Sequence, residues 1–266
     1  RKMPPKSTAT DFWLNPPWAG SKPKYRLGLA PIHLNQWFDT PGSTSIREHK
    51  QHILANQYTD AVAIADNGDA ERALSPYLAT NENAYPDPIA NMAVAIDDDL
   101  CVIKTTDHQR LVAACVCSPS YWHLNEKIGH SLHTIHASVP SMNRKIGTPV
   151  THFIDNAPLL QPFERCNWFV HGDNTRFHAR PEALPQHAVR DWFIRSERET
   201  LCRLSEDYLL FTINPRFFPL TDLQQYPGAA IDLYRSIQNF DADEIDYFGG
   251  SQKCATLLAW LKQITF

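Results

Sequence analysis

Two segments rich in strand-forming residues, Asp191 to Leu204 and Tyr208 to Ile213, are separated only by Ser205-Glu206-Asp207. A polar link that short joins strands lying antiparallel, because a parallel return needs a crossover of a dozen or more residues. An earlier pair repeats the pattern: Leu100 to Thr105, a turn at Asp107-His108, then Arg110 to Cys117, nearly continuous in apolar character. Phe163 to Val170 adds a fifth strand signal. The chain is thereby committed to an antiparallel sheet with two early and three late strands.

The remainder reads as helix and loop. Between Ser45 and Leu78 the apolar positions Ile46, Ile53, Leu54, Val62, Ile64 and Leu74 sit among polar residues, which suits helices, and Asn81 to Pro88 reads as a loop. Asn125 to Ile135 predicts helical turns despite Gly129, closed by Pro140. Leu220 to Ile237 and Ser251 to Ile264 predict helices, the second with apolar Leu257, Leu258, Leu261 and Ile264. Helices flanking an antiparallel sheet make an α+β plan. Residues 1–45 are interrupted by Pro16-Pro17, Pro23, Pro31 and Pro41, but Trp13, Trp18, Trp37 and Phe38 predict an arm that wraps and packs. Residues 46–266 are expected to form one domain.

Composition limits the function. With 43% hydrophobic residues in 266, one large core is within reach. Twenty-five basic against 29 acidic side chains leave no basic field for nucleic acid. The longest apolar stretches, such as Leu111 to Cys117, fall far short of the ~20 residues that cross a bilayer, and Arg1 to Gly20 lacks a secretory apolar segment, so a cytoplasmic address is expected. Six scattered cysteines predict reduced, buried thiols. Cys115 and Cys117 share a strand face, but no second pair completes a zinc or iron–sulfur site.

Three places carry candidate chemistry. His130, His133 and His136 lie three apart, and since i and i+6 diverge by about 240° on a helix, one metal does not readily take all three. Isolated histidines, or one axial ligand in an apolar pocket, remain the open readings for them. The second place is Arg195-Ser196-Glu197-Arg198-Glu199-Thr200. Strand alternation puts Arg195, Glu197 and Glu199 on one face and Ser196, Arg198 and Thr200 on the other. In a covered sheet, unpaired charges there are expensive, which favours a ligand-facing role; a solvated edge strand with cross-strand ion pairs is the alternative. The third place is Arg165-Cys166-Asn167-Trp168 with His171 and Asp173, read either as site residues or as a core Trp and a turn.

Several segments, in order, resemble the large-subunit family of haem-dependent oxidative N-demethylases, or dimethylamine monooxygenases. They are Arg26-Leu27-Gly28-Leu29-Ala30-Pro31, Glu126-Lys127-Ile128-Gly129, Ile135-His136-Ala137-Ser138-Val139-Pro140, Arg165 to Trp168, Arg195 to Leu201 with Arg203-Leu204, and Phe211-Thr212-Ile213. The resemblance spans roughly residues 25 to 220. It implies a PAS-like haem-binding sheet with helical N- and C-terminal extensions, haem b held by His136 as axial ligand, and oxidation of a small secondary amine such as dimethylamine with O2. On that basis Arg198 is the expected donor to oxygen at the iron, with Arg195 as alternate. Glu197 or Glu199 is expected to hold the protonated amine, and Asn167 and His171 to complete the pocket.

The chain departs from the family pattern at Glu199, where Gln is usual, and at Asn214-Pro215-Arg216, where the family has Arg-Thr-Tyr. The preferred amine is therefore open to change. No phosphate-binding GxGxxG loop and no cysteine run for a cluster is present. The resemblance accordingly implies a separate reductase carrying FMN and a 2Fe–2S centre and fed by NADPH. A haem-binding PAS-like gas or redox sensor is the alternative reading, and fold alone does not choose between them.

Overall fold

The computed structural model describes residues 9–39, 42–182 and 184–266. Parts of the expected arm, residues 1–8 and 40–41 with Pro41, lie outside the described residues. Seven strands make one sheet: β1 Ala30–Pro31, β2 Val62–Ile64, β3 Asp99–Lys104, β4 Arg110–Cys115, β5 Phe163–His171, β6 Phe193–Arg203 and β7 Tyr208–Pro219. Their order is β1-β5-β6-β7-β3-β4-β2, and every pairing is antiparallel. β6 lies between β5 and β7, so its charges are interior to the sheet and the edge-strand alternative does not hold.

Alternation sorts the core into two faces. Even-numbered Leu100, Val102, Cys202 and Leu210 pack against the helices Thr44–Asn56, Asp69–Leu74 and Pro88–Val94 through Ile53, Leu54, Leu74 and Ile89. Odd-numbered Ile103, Leu201 and Leu209 face Ile154, Val150 and Phe153 of the helix Thr148–Asn156. β4 changes phase, because its pairing with β3 slips between Val102 and Ile103. Leu111 consequently joins the odd face, while Cys115 and Cys117 join the even one, their sulfurs 3.9 Å apart as free thiols.

Several sequence expectations are corrected here. Val62 and Ile64, expected in a helix, form the edge strand β2 against Cys115 and Ala113. Their β-branched side chains suit a short strand once a sheet edge is available. The helical turns stop at Ser138 just before Pro140, and Pro140 itself starts the next turn, Pro140–Met142, where a missing N–H costs nothing at the first helical position. The helices Pro88–Val94, Thr148–Asn156 and Ala242–Phe248 were not anticipated, although Asp241 and Glu244 form a capping box at the start of the last. β7 runs on through Pro215 to Pro219 because its pairing with β3 ends at Ile213. Beyond that point β7 is an edge on one side, where proline needs no hydrogen bond.

The arm wraps the end of the sheet. Trp18 is fully buried, donates from Nε1 to Ala229 O at 2.8 Å and meets Trp168 edge-on. Phe12 stacks on Phe218, and Trp13 on Tyr226. These aromatics join Leu233, Leu257 and Leu261 of the helices Pro227–Gln238 and Ser251–Thr265 in a second core. No helix among the described residues is long and apolar enough to cross a membrane.

Candidate active site

The segment before His136 is sewn to β4. Leu111 N–H donates to His130 O, Gly129 N–H donates to Leu111 O, and Leu132 N–H donates to Gln109 O. Gly129 makes this possible with φ +78°, in the left-handed region open to glycine. Ser131 caps the one-turn helix Leu132–Ile135 by accepting Thr134 N–H. His136 follows as its C-cap, with Val139 N–H closing the next turn onto His136 O. The ring therefore leaves a backbone fixed at both ends, and it lines a cavity over the odd face of the sheet. His130 and His133 are exposed.

The cavity has a volume of about 230 Å³. Its walls are mostly apolar. Ile103, Leu111, Leu201 and Phe211 rise from the sheet, Val139, Ile146, Val150 and Phe153 cover it, and Leu27 and Leu29 close it from the arm. Leu27 and Leu29 flank Gly28, whose φ is +57°.

A polar wall lies where β5 and β6 pair. Asn167 opposes Glu197 and Arg165 opposes Glu199, and all four line the cavity. Arg165 Nη1 donates to Glu199 Oε2 at 2.5 Å, and Asn167 Nδ2 donates to Glu197 Oε2 at 3.3 Å. Behind them, fully buried Arg195 donates from Nε to Glu197 Oε1 at 2.9 Å and from Nη1 to Arg176 O at 2.8 Å. Its Nη2 is bonded to Ser118 O. Lys24 Nζ donates to Asn167 Oδ1 at 3.0 Å and sits 3.8 Å above the Phe169 ring. Tyr25 Oη and Arg165 Nε are buried without a hydrogen-bond partner among the described residues.

Protonation follows from these surroundings. Burial, aided by nearby Lys127 and Arg165, draws His136 down to about 4, so its imidazole is neutral near pH 7. Burial lowers Lys24 to about 7 against the pull of Glu197. Burial raises Glu199 above the usual carboxylate range although Arg165 opposes it.

The structure gathers His136, Asn167, Glu197 and Glu199 around one cavity and leaves three expected residues outside it. Arg198, the expected oxygen-facing donor, is the main correction. As an even-numbered β6 residue it points to the opposite face, donating to Glu164 Oε2 at 2.6 Å, Gln36 O at 2.6 Å and Trp37 O at 3.2 Å. Arg195 is on the correct face, but its donors are occupied behind Glu197. His171 is buried one hydrogen bond behind the cavity, its Nε2 3.2 Å from Ser120 Oγ. Lys24, Tyr25, Ser120 and Tyr247 were not anticipated. They reach the site by tertiary folding from segments with no motif of their own.

The cavity combines mostly apolar walls with polar groups gathered at one end. Comparison with known families places the chain among haem-dependent oxidoreductases. Residues 41–256 match the family model described as haem-dependent oxidative N-demethylase, alpha subunit-like, and the chain belongs to that family.

The residues present fit the haem that the family name implies. The macrocycle needs apolar walls, a neutral nitrogen ligand and cations for its two carboxylates. The cavity supplies the walls. His136 supplies a neutral ring that makes no side-chain hydrogen bond among the described residues. Arg26, Lys127 and Arg165 line the same cavity as cations. Arg165 has an unused Nε donor.

Proposed function

We propose that the chain is the haem-carrying subunit of an oxygen-dependent N-demethylase acting on a small secondary amine such as dimethylamine. The observation that carries this reading is the neutral, unengaged His136 on the wall of an apolar cavity whose sheet side bears two carboxylates. His136 would hold haem b, and Arg26, Lys127 and Arg165 would meet its carboxylates. Counting β3 to β7 as one to five, the sheet reads 3-4-5-1-2, which supports a PAS-like framework.

When bound, haem supplies the activation of oxygen. The chain's own residues select and hold the amine. Glu199 has one oxygen without a hydrogen bond among the described residues, whereas both oxygens of Glu197 are engaged. A protonated amine donating to that free oxygen forms a charge-assisted hydrogen bond, and it stabilises the ionised form that burial disfavours. Glu197, braced by Arg195 and Asn167, adds negative potential beside it. Leu201, Phe211 and Ile213 enclose the alkyl groups and exclude solvent. Electrons come from a partner subunit bearing FMN and a 2Fe–2S centre and oxidising NADPH, a reading supported by the words "alpha subunit" in the family description.

The test is an absorption spectrum of the purified protein, ferric and reduced, before and after dimethylamine. A Soret band that shifts with the amine is expected, and in His136→Ala haem should be lost or weakly held. Full haem occupancy with an unchanged spectrum in His136→Ala removes that residue as ligand. A haem band indifferent to amines removes the substrate assignment.

A further inference from the structure

The segment after β4 is strained and firmly held. Tyr121 has φ +61°, a conformation costly for a bulky side chain, and such strain persists only where the surroundings impose it. Here they do. Ser118 N–H donates to Asp99 Oδ2 at 2.7 Å, and Ser118 O accepts from Arg195. Tyr121 N–H donates to His178 O at 2.7 Å, and His178 N–H donates to Pro119 O at 2.9 Å. Buried Lys253 donates to Tyr121 Oη at 2.9 Å. The segment presents Ser120 and Trp122 to the cavity.

Behind Ser120 stands His171, completely buried, its ring stacked on Tyr121 with centroids 4.8 Å apart. Nε2 meets Ser120 Oγ at 3.2 Å, and Nδ1 has no partner among the described residues. Burial, with Arg195, His178, Lys253 and Lys24 nearby, holds the ring far below its ordinary range, so it is neutral and carries one proton. On Nδ1 that proton would be a buried donor without an acceptor, with Arg195, Lys253 and Lys24 near the ring. A lone pair suits that position better, since positive charge attracts it. The proton then belongs on Nε2, where Ser120 Oγ accepts it, and the serine's own hydrogen is free for another acceptor.

We infer that His171 is locked as the Nε2–H tautomer and that Ser120 thereby acts as a hydrogen-bond donor into the cavity, serving the small electron-rich reactant and not the amine. An ammonium has only hydrogens to offer, so it pairs with the carboxylates; a donor serves dioxygen or a small anion in its place. His171 is a positioning residue acting through Ser120. The inference rests on the N-demethylase reading for the identity of the cavity's guest, while the tautomer stands without it.

Two measurements decide it. Ring 15N shifts of His171 in the wild-type protein should show Nε2 protonated, and an Nδ1–H tautomer overturns the inference. In ferric holoprotein, azide serves as the anionic probe. Ser120→Ala should bind it about tenfold more weakly, as expected for one lost hydrogen bond to a charged acceptor, while Ser120→Thr stays within about twofold. Equal azide affinity in Ser120→Ala overturns the donor role. If the protein takes up no haem, the N-demethylase reading fails instead, and the 15N result still decides the tautomer.

Discussion

Arg195→Met removes one cation from a place where everything around it depends on that charge. The guanidinium has no exposure, pairs with Glu197 at 2.9 Å, and satisfies the carbonyl oxygens of Arg176 and Ser118. Breaking a buried pair by removing one partner costs roughly 3–5 kcal/mol. Two stranded carbonyls add about 1 kcal/mol each where water does not reach them. With a urea dependence near 3 kcal/mol per molar, the unfolding midpoint should fall by roughly 1.7–2.3 M. The double variant Arg195→Met/Glu197→Met discriminates the cause, because it also removes the unpaired carboxylate. It should recover about 3 kcal/mol and leave the carbonyl penalty, giving a clear coupling energy in the four-variant cycle. Urea unfolding followed by tryptophan fluorescence reads all four proteins. A double variant no more stable than Arg195→Met would refute the reasoning, since the loss would then lie in packing and not in an uncompensated charge.

Glu199→Ala should keep haem but weaken dimethylamine binding roughly ten- to hundredfold at neutral pH, read as the concentration needed for the spectral shift. Arg198→Ala should leave amine binding within about twofold and destabilise the fold by roughly 1–3 kcal/mol, because the side chain ties Gln36, Trp37 and Glu164 to the opposite face. Lys24→Met should change how stability depends on pH. Below pH 7 folded and unfolded wild-type chains both hold the Lys24 proton; between about 7 and its ordinary value of 10.5 only the unfolded chain does, so this residue makes stability rise with pH. From pH 7 to 9 the contribution is at most about 3 kcal/mol, and the variant's urea midpoints should lack it.

The sheet was legible because its evidence is local. Apolar runs, a short polar link and period-two alternation sufficed for five strands and for the two faces of β6. The same alternation separates Arg198 from Glu197 and Glu199, so its exclusion from their face was already written in the strand pattern. The choice of Arg198 as oxygen donor rested on the chemistry of a fixed cation and set that pattern aside. Lys24 and Ser120 were not legible. Lys24 reaches Asn167 across 143 positions, and Ser120 owes its place to Ser118, held by Asp99 and Arg195, and to a strained Tyr121, held by His178 and Lys253. Neither arrangement leaves a periodic trace. The helix Thr148–Asn156 escaped notice for another reason: proline at Pro140 and Pro149 reads as interruption until each is seen in the first turn of a helical piece.

The arm's contacts also set an order of events during synthesis. Leu27 and Leu29 form one wall of the cavity, and the stretch just before them is anchored through Trp18 to Ala229 and through Gly20 and Ser21 to Asp232, more than 200 positions downstream. The first part of the arm to leave the ribosome is therefore among the last to find its place. A nascent chain translated as far as β7 has its sheet and His136 but an open-sided cavity, and only the arrival of the C-terminal helices lets the arm close over it. Any guest as large as a haem has that interval to enter before the wall is drawn in.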